Sequence, residues 1–422
     1  MNAFFFGIWG EQHTSRFIIF TIPCLLDNFS YLKKSITKKI KIEIWIPHQD
    51  YNLLKSNSNF KKLKKIVNVR INLIDNFLKT LRENNKYYLL SIMHNIFIST
   101  HSIKYKYLWF IYPDFYFGDE LIKKIIKIMD NKNYDSVVMP VPQINDENVR
   151  QIFLKKNISK IDKKKIIINN LHQNNFICDL ENLKTGSPPF LYLRNKKKFV
   201  LRCFHAHPIV INSWKNLDIF SEILYPTIDE GYYEKLAKRK IFLPTSDKFE
   251  ICVSVHDLDY VSINKTKFNI RDFVFFYIRH ITSAHLTFSK TIYEFGDHKV
   301  KISSKKISKL KNFQNKLLSK IYNLKINNNF SIKDTSKLIN LFHNKFKLSL
   351  VDLGKILKEE EDYRDFIKRN SILEANNIIY KNLIYTKNKK KILKEIVLNL
   401  YNDKKYKKID VNFLNEIYKK NI

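Results

Sequence analysis

The first 140 residues alternate short apolar runs with amphipathic stretches, and that alternation constrains the fold more than any other feature of the chain. Phe4 to Trp9 is an apolar run of strand type. Thr14 to Leu26 is helical in pattern but contains Pro23, which lacks an amide hydrogen and crowds the carbonyl four residues back, so a kink or break is predicted there. Lys41 to Ile46 is β-branched and aromatic and stops at Pro47. Residues 52–65 are basic and helical, Ile66 to Ile74 has strand composition, and Asn84 to Ile103 is a longer helix pattern. Tyr107 to Tyr112 is an apolar strand ended by Pro113, Leu121 to Met129 an amphipathic helix, and Ser136 to Val141 a further strand. This strand-helix order predicts an α/β fold: a mostly parallel sheet flanked by helices on both faces.

Residues 143–185 are more polar and partly helical, without a clear strand. Gly186-Ser187-Pro188-Pro189 is a turn signal, after which Phe199 to Cys203, Pro208 to Ile211 and Ile251 to Val255 read as strands. From about residue 262 the chain becomes rich in lysine, asparagine, isoleucine and leucine, with helical periodicity over 305–325, 334–345, 348–358 and 390–401. At about 150 residues per domain, 422 residues accommodate two or three. The division expected here is 1–261, an α/β domain, and 262–422, a helical lysine-rich region.

Composition removes several function classes. Only 7 glycines occur, and no pair has the spacing of G-x-G-x-x-G or of a Walker A loop, both of which need glycine for close approach of backbone to phosphate. Cys24, Cys178, Cys203 and Cys252 are far apart, which suggests neither a zinc ribbon nor a disulfide framework and fits a reducing cytoplasm. The N-terminus has no basic region before its apolar run and is a poor signal peptide. No uncharged apolar run approaches the roughly 18 residues of a membrane helix, so the protein is expected to be soluble or peripheral.

The charge is +35, from 75 Lys+Arg against 40 Asp+Glu. A basic field attracts nucleic acid, anionic membrane or anionic substrates. Lysine supplies most of it, and lysine, asparagine and isoleucine are abundant throughout, as an AT-rich genome would give. Arginine, the better base reader, is scarce. No RNP-like, helix-turn-helix or zinc-finger signature accompanies the charge, so no specific nucleic acid is expected. The lysine clusters at 61–65, 162–165, 196–198 and 388–391 read as solvated faces, and the tail could lie on anionic lipid.

Open parallel sheets bind ligands beyond the carboxyl ends of their strands. Past the first predicted strand come Gly10, Glu11, Gln12 and His13, past the second Pro47, His48, Gln49 and Asp50, and past the strand at 107–112 come Pro113, Asp114, Phe115 and Tyr116. A carboxylate at Asp114, directly after six apolar residues, suits a hard cation such as Mg²⁺ or Mn²⁺ that bridges diphosphate oxygens. The alternative is a turn aspartate capping the next helix. Asp119 reads as the start of the helix at 121. His205 and His207, beside Arg202, would share a strand face and could bind an anion or metal, or merely hydrogen-bond backbone near Pro208. His256 could supply a late metal ligand or diphosphate contact, or stand with Asp257 and Asp259 as a polar loop end. Asp229 and Glu230 are adjacent carboxylates, fit for general-base work on an acceptor hydroxyl or for capping a helix at 232–239. Trp9, Trp45, Trp109 and Trp214 read as core residues. Tyr112 and Tyr116 are the better candidates to line a pocket.

Phe5-Phe6-Gly7-Ile8-Trp9-Gly10-Glu11, then Arg16-Phe17 and Ile22-Pro23-Cys24-Leu25-Leu26, resembles the opening of a bacterial group of glycosyltransferase-like proteins with the GT-A, nucleotide-diphospho-sugar transferase fold. Their pattern is a hydrophobic strand, Trp-Gly-Glu, then a helix with a Leu-Pro-Ser-Leu-Leu-like stretch, in which this chain has Cys24 in place of serine. Pro113-Asp114, the segment from Arg202 to Pro208 and that from Thr227 to Tyr233 are also similar, so the resemblance covers about residues 4–260. It implies a nucleotide-sugar donor over the first strands, at Trp9, Gly10, Glu11, His48, Gln49, Tyr112, Arg202, His205 and His207. Asp114 would stand in the place of the fold's D-x-D, with Asp114 and His256 as metal ligands for Mg²⁺ or Mn²⁺ and Asp229 or Glu230 acting at the acceptor. A full D-x-D would put a second aspartate where this chain has Tyr116. The expected activity is transfer of a hexosyl group to a glycan or lipid-linked acceptor in polysaccharide biosynthesis, in the cytoplasm or at the inner face of the membrane. The rival is a non-catalytic basic protein that binds nucleic acid or anionic membrane on an α/β scaffold.

Overall fold

The computed structural model describes residues 1–75, 78, 86–154, 160–172, 190–195, 198–202, 206–216, 228, 239–257 and 293–295. In chain order the strands are β1 Asn2–Gly7, β2 Ile40–Ile46, β3 Asn68–Leu73, β4 Tyr107–Phe110, β5 Phe115–Phe117, β6 Ser136–Met139 and β7 Gln143–Asn145. They continue with β8 Phe190–Asn195, β9 Lys198–Arg202, β10 His207–Asn212, β11 Ile241–Phe242, β12 Cys252–His256 and β13 Tyr293–Phe295. The central sheet has the order β11-β6-β10-β4-β1-β2-β3. β1 pairs parallel with β2 and β4, β2 with β3, and β11 with β6. The architecture is thus a mixed α/β fold with a mainly parallel central sheet, as the strand-helix alternation predicts. The exception is β10, which inserts antiparallel between β4 and β6.

Strand β1 shows why both faces of that sheet are covered. Its side chains alternate, so Phe4 and Phe6 enter one buried cluster and Ala3 and Phe5 the other. On the first side Phe4 stacks on Trp109 with centroids 4.9 Å apart and meets Phe29 edge-on at 5.8 Å, under the helix Ile22–Ser30. On the second, Phe5 packs against Phe97 and His94 of the helix Lys86–His101, at 5.5 and 4.6 Å. Fully burying a phenylalanine is worth roughly 1.5–3 kcal/mol, so the three of this strand together contribute several kcal/mol to joining the layers.

Pro23 is accommodated rather than acting as a break. The helix Glu11–Arg16 passes into a π-helical segment, Phe17–Thr21, and the helix Ile22–Ser30 follows with Pro23 in its first turn. The Ile22 amide reaches Phe17 O, one residue beyond the α-helical partner. The backbone stays helical through Thr21 and Ile22, so Pro23 lies inside a continuous helical run, and the wider turn lies immediately ahead of it, where the proline ring crowds the preceding turn. The predicted single helix at 52–65 is two, His48–Ser56 and Ser58–Ile66, because Asn57 accepts from the Phe60 amide at 3.0 Å and caps the second.

Two small sheets complete the described fold, β5-β12-β7 and β13-β9-β8. β5 and β7 lie in stretches read as loop or as strandless, because three-residue strands carry too little periodicity to announce themselves. Tyr116 is in β5 and is buried, its ring 4.5 Å from Phe153, so it belongs to the core and not to a pocket wall. Trp214 departs the other way: expected in the core, it is 50% exposed. Within the span read as helical, Tyr293–Phe295 is a strand on β9. The four helical windows between 305 and 401 lie outside the described residues. Among the described residues, no helix is long and apolar enough to cross a membrane.

Candidate active site at the carboxyl rim of the sheet

The carboxyl ends of β1, β2, β3 and β4 lie side by side, and the loops that leave them form one rim. After β1 the chain turns at Gly10, whose φ of +89° favours glycine over any side-chain-bearing residue. The Gly10 amide donates to Asp50 Oδ2 at 2.7 Å, which ties the first loop to the start of the helix after β2. The His48 amide donates in turn to the Asp75 carboxylate, at 3.1 and 3.2 Å, which ties the second loop to the end of β3.

Asp114 follows β4 and is buried. Its carbonyl accepts from the Val255 amide at 2.9 Å, so β12 runs past it and delivers His256. His256 Nε2 lies 4.0 Å from Asp114 Oδ2 and 3.0 Å from Ser254 Oγ. Burial pushes the His256 imidazole well below its usual value, and the nearby Arg16, His172, His13 and His207 push it further the same way. A neutral ring keeps a nitrogen lone pair for a ligand, which a protonated one lacks.

Behind this pair stands a buried ionic cluster. Arg16, in the helix after β1, donates through Nε to Asp146 Oδ2 at 2.9 Å and through Nη2 to Asp257 Oδ1 at 2.6 Å. Arg150 also binds Asp146, at 2.6 and 2.8 Å, and donates to Ser15 Oγ at 2.8 Å. His172 Nε2 is 2.9 Å from the Asp257 carbonyl. Asp146 follows β7 and Asp257 follows β12, so Arg16 joins the first loop of the central sheet to the ends of two strands of the small sheet.

The structure brings Asp114 and His256 together, and places His207 close by, its ring 5.5 Å from Tyr112 and 5.4 Å from Phe115. Tyr112 and Trp9 are half-buried, while Gly10, Glu11, His48 and Gln49 are exposed on the first two loops. Arg202 ends β9, and its side chain lies outside the described residues, as do His205, Asp229 and Glu230. Sequence reasoning missed Asp146 and His172 as members of the cluster, because β7, which positions both, falls in a segment with no strand signal: the His172 amide donates to Gln143 O at 2.8 Å. Asp119, read as a helix start, lies just ahead of the helix Leu121–Lys132 and pairs with Lys163 at 3.4 Å. An open groove of about 510 Å³ elsewhere, lined by Pro23, Leu26, Asp27, Asn59, Lys62, Lys65 and Ile66, contains no rim residue.

No family profile and no curated protein matches the chain. Solved structures similar to it include S. aureus TarS 1–349 in complex with UDP, at 12% identity, covering 86% of this chain and 91% of that one with a TM-score of 0.36. The same fragment with UDP-GlcNAc is 12% identical, over 81% and 80% of the two chains, with a TM-score of 0.32. GalNAc-T7 with UDP, GalNAc and Mn²⁺ is 8% identical, over 66% and 48%, with a TM-score of 0.35.

Proposed function

We propose that the chain is a nucleotide-sugar glycosyltransferase of GT-A type. The observation that carries this reading is the approach of Asp114 and His256 at the carboxyl rim, 4.0 Å apart, one an oxygen donor and the other a neutral nitrogen donor. That separation fits two ligands of one Mg²⁺ or Mn²⁺ ion. Among the described residues no group of three His, Cys, Asp or Glu side chains is placed to hold an ion. Two protein ligands suffice where substrate phosphates and water complete the shell, the usual arrangement for Mg²⁺. The bound cation would offset the charge that develops on a leaving diphosphate.

The electrostatics of the rim support the same reading. Among the described residues it carries Asp50, Asp75, Asp114, Asp146 and Asp257, and its two arginines are engaged with two of those carboxylates. A diphosphate would meet a repulsive field there unless a cation accompanied it.

In this reading Trp9, Gly10, Glu11, His48 and Gln49 frame the nucleotide. Tyr112 and His207 flank the diphosphate, with Arg202 and His205 offsetting part of its charge. Asp229 or Glu230 takes the proton of the acceptor hydroxyl, the acceptor being a glycan or a lipid-linked molecule and the transferred group a hexosyl. Residues 1–261 would carry the transferase and 262–422 a helical lysine-rich region, in a cytoplasmic protein that serves polysaccharide biosynthesis and can lie at the membrane. Thermal unfolding with a panel of nucleotide-sugars, with and without Mn²⁺, tests it: a donor that raises the melting temperature only with Mn²⁺ is the expected result. No stabilisation by any member of the panel contradicts the reading.

A further inference from the structure

The charge of the central sheet is polarised along its strands. The carboxyl rim holds the carboxylates of the candidate site. At the opposite rim, five of the seven strands have a lysine within four residues of their end. Lys240 precedes β11, Lys132 lies just ahead of β6, Lys215 follows the antiparallel β10, Lys104 and Lys106 precede β4, and Lys39 precedes β2. With neighbouring strands about 4.8 Å apart, this row spans about 24 Å from β11 to β2. Among the described residues two carboxylates meet it, Asp130 on Lys106 at 2.7 Å and Asp135 on Lys215 at 3.2 Å, so the other four lysines carry the row's excess charge.

In the same rim stand two large apolar side chains in solvent, Ile103 at 77% exposure and Trp214 at 50%. They are neighbours, since the Trp214 indole Nε1 donates to the Ile103 carbonyl at 3.1 Å. The turn that presents them is knitted to the sheet, with the Ser213 hydroxyl against the carbonyls of Ser102 and Tyr105 and the Ser213 amide on Lys106 O at 2.9 Å.

We infer that this amino-terminal rim is a docking surface for an anionic lipid bilayer. Lysines beside an anionic leaflet each add to the attraction, and several in a row act together. An indole whose N–H is already satisfied inside the protein can enter the headgroup region without leaving an unpaired donor behind. The isoleucine beside it distinguishes a bilayer from a nucleic acid: an aliphatic side chain gains from the acyl boundary and has no favourable partner on a phosphate backbone. The inference uses none of the candidate-site residues and stands apart from sugar transfer. It does bear on the acceptor, because the six-residue β1 holds the two rims about 20 Å apart. A bilayer under the lysines leaves the Asp114 rim facing water, which favours a glycan in solution over one anchored in that same leaflet.

Sedimentation of the full-length chain with vesicles tests this. The vesicles are phosphatidylcholine alone, or equal parts phosphatidylcholine and phosphatidylglycerol. The wild type is expected to sediment with the anionic vesicles only, with a blue shift in tryptophan emission. Ile103→Asp with Trp214→Ala should abolish the shift, and Lys104→Glu with Lys132→Glu should weaken binding by at least about tenfold. The matched control, Lys61→Glu with Lys64→Glu on the exposed face of the helix Ser58–Ile66, should bind as wild type. All of these side chains are exposed, and unchanged melting temperatures verify that the variants fold. Wild type that stays in the supernatant, rim variants that bind undiminished, or a control that loses as much as the rim pair each overturns the inference. Rim-dependent binding to duplex DNA in place of vesicles does so as well.

Discussion

Arg16 and Asp257 stand 241 residues apart in sequence and 2.6 Å apart in space. The contact closes the candidate site from behind, because the same guanidinium binds Asp146 and the residue before Asp257 is His256. Both the Arg16 and Asp146 side chains are almost wholly buried. Removing Arg16 leaves the buried Asp146 with Arg150 alone and the partly exposed Asp257 without its cation, so the cost lies below the about 3–5 kcal/mol of a wholly unpaired buried charge. Arg16→Gln should therefore lower the free energy of unfolding in urea by about 1–3 kcal/mol. A loss of under about 1 kcal/mol would mean that the cluster is not held as described.

A second buried charge lies on the other face of the sheet. Glu43 of β2 is buried, 3.0 Å from His101 Nε2 and 3.6 Å from Arg70, with Asn72 donating to it at 3.3 Å. Burial alone would raise its pKa, but the hydrogen bond and charge of His101, with Arg70 and Lys41, outweigh burial and hold the carboxyl below its ordinary 4.5. A group lowered in the folded state gives stability that is complete above its unfolded value and is lost as pH falls through the folded one. Thermal melts should show that loss as pH falls below about 4.5, and Glu43→Gln should flatten the acid limb relative to wild type. An acid limb unchanged in the variant would remove Glu43 from it.

Gly10 tests the geometry of the first loop. Its φ of +89° is one that residues with a side chain rarely adopt, while the space around a Cβ there is open, with nothing within 4 Å. Backbone strain and not collision should make Gly10→Ala unfavourable, by about 1–2 kcal/mol in equilibrium unfolding. A neutral substitution would show that the loop relaxes to another conformation.

Much of this arrangement was legible in the sequence, and the reasons for the gaps are physical. β1 and β4 are apolar through nearly their whole length because both sheet faces are covered, and β2 alternates isoleucine with Lys41, Glu43 and Trp45 in the period of a strand, so all three are easy to find. Asp114 was visible because it follows one of them. β5 and β7 have three residues each, too few for periodicity, so the positions of Tyr116, Asp146 and His172 were hidden. The antiparallel insertion of β10 was equally silent, since strand direction is set by pairing over about 100 residues of chain, and not by local composition. The exposure of Trp214 follows from its place in a short 3-10 turn beyond β10, where an apolar residue next to a strand no longer points into the core.

The most direct test of the central claim is calorimetric titration of a stabilising nucleotide-sugar into wild type and Asp114→Asn, each with and without Mn²⁺. Wild type should bind more tightly with Mn²⁺, and the variant should show the same weak affinity in both conditions. An Asp114→Asn protein that binds the donor as tightly as wild type, with an undiminished Mn²⁺ effect, would contradict the account.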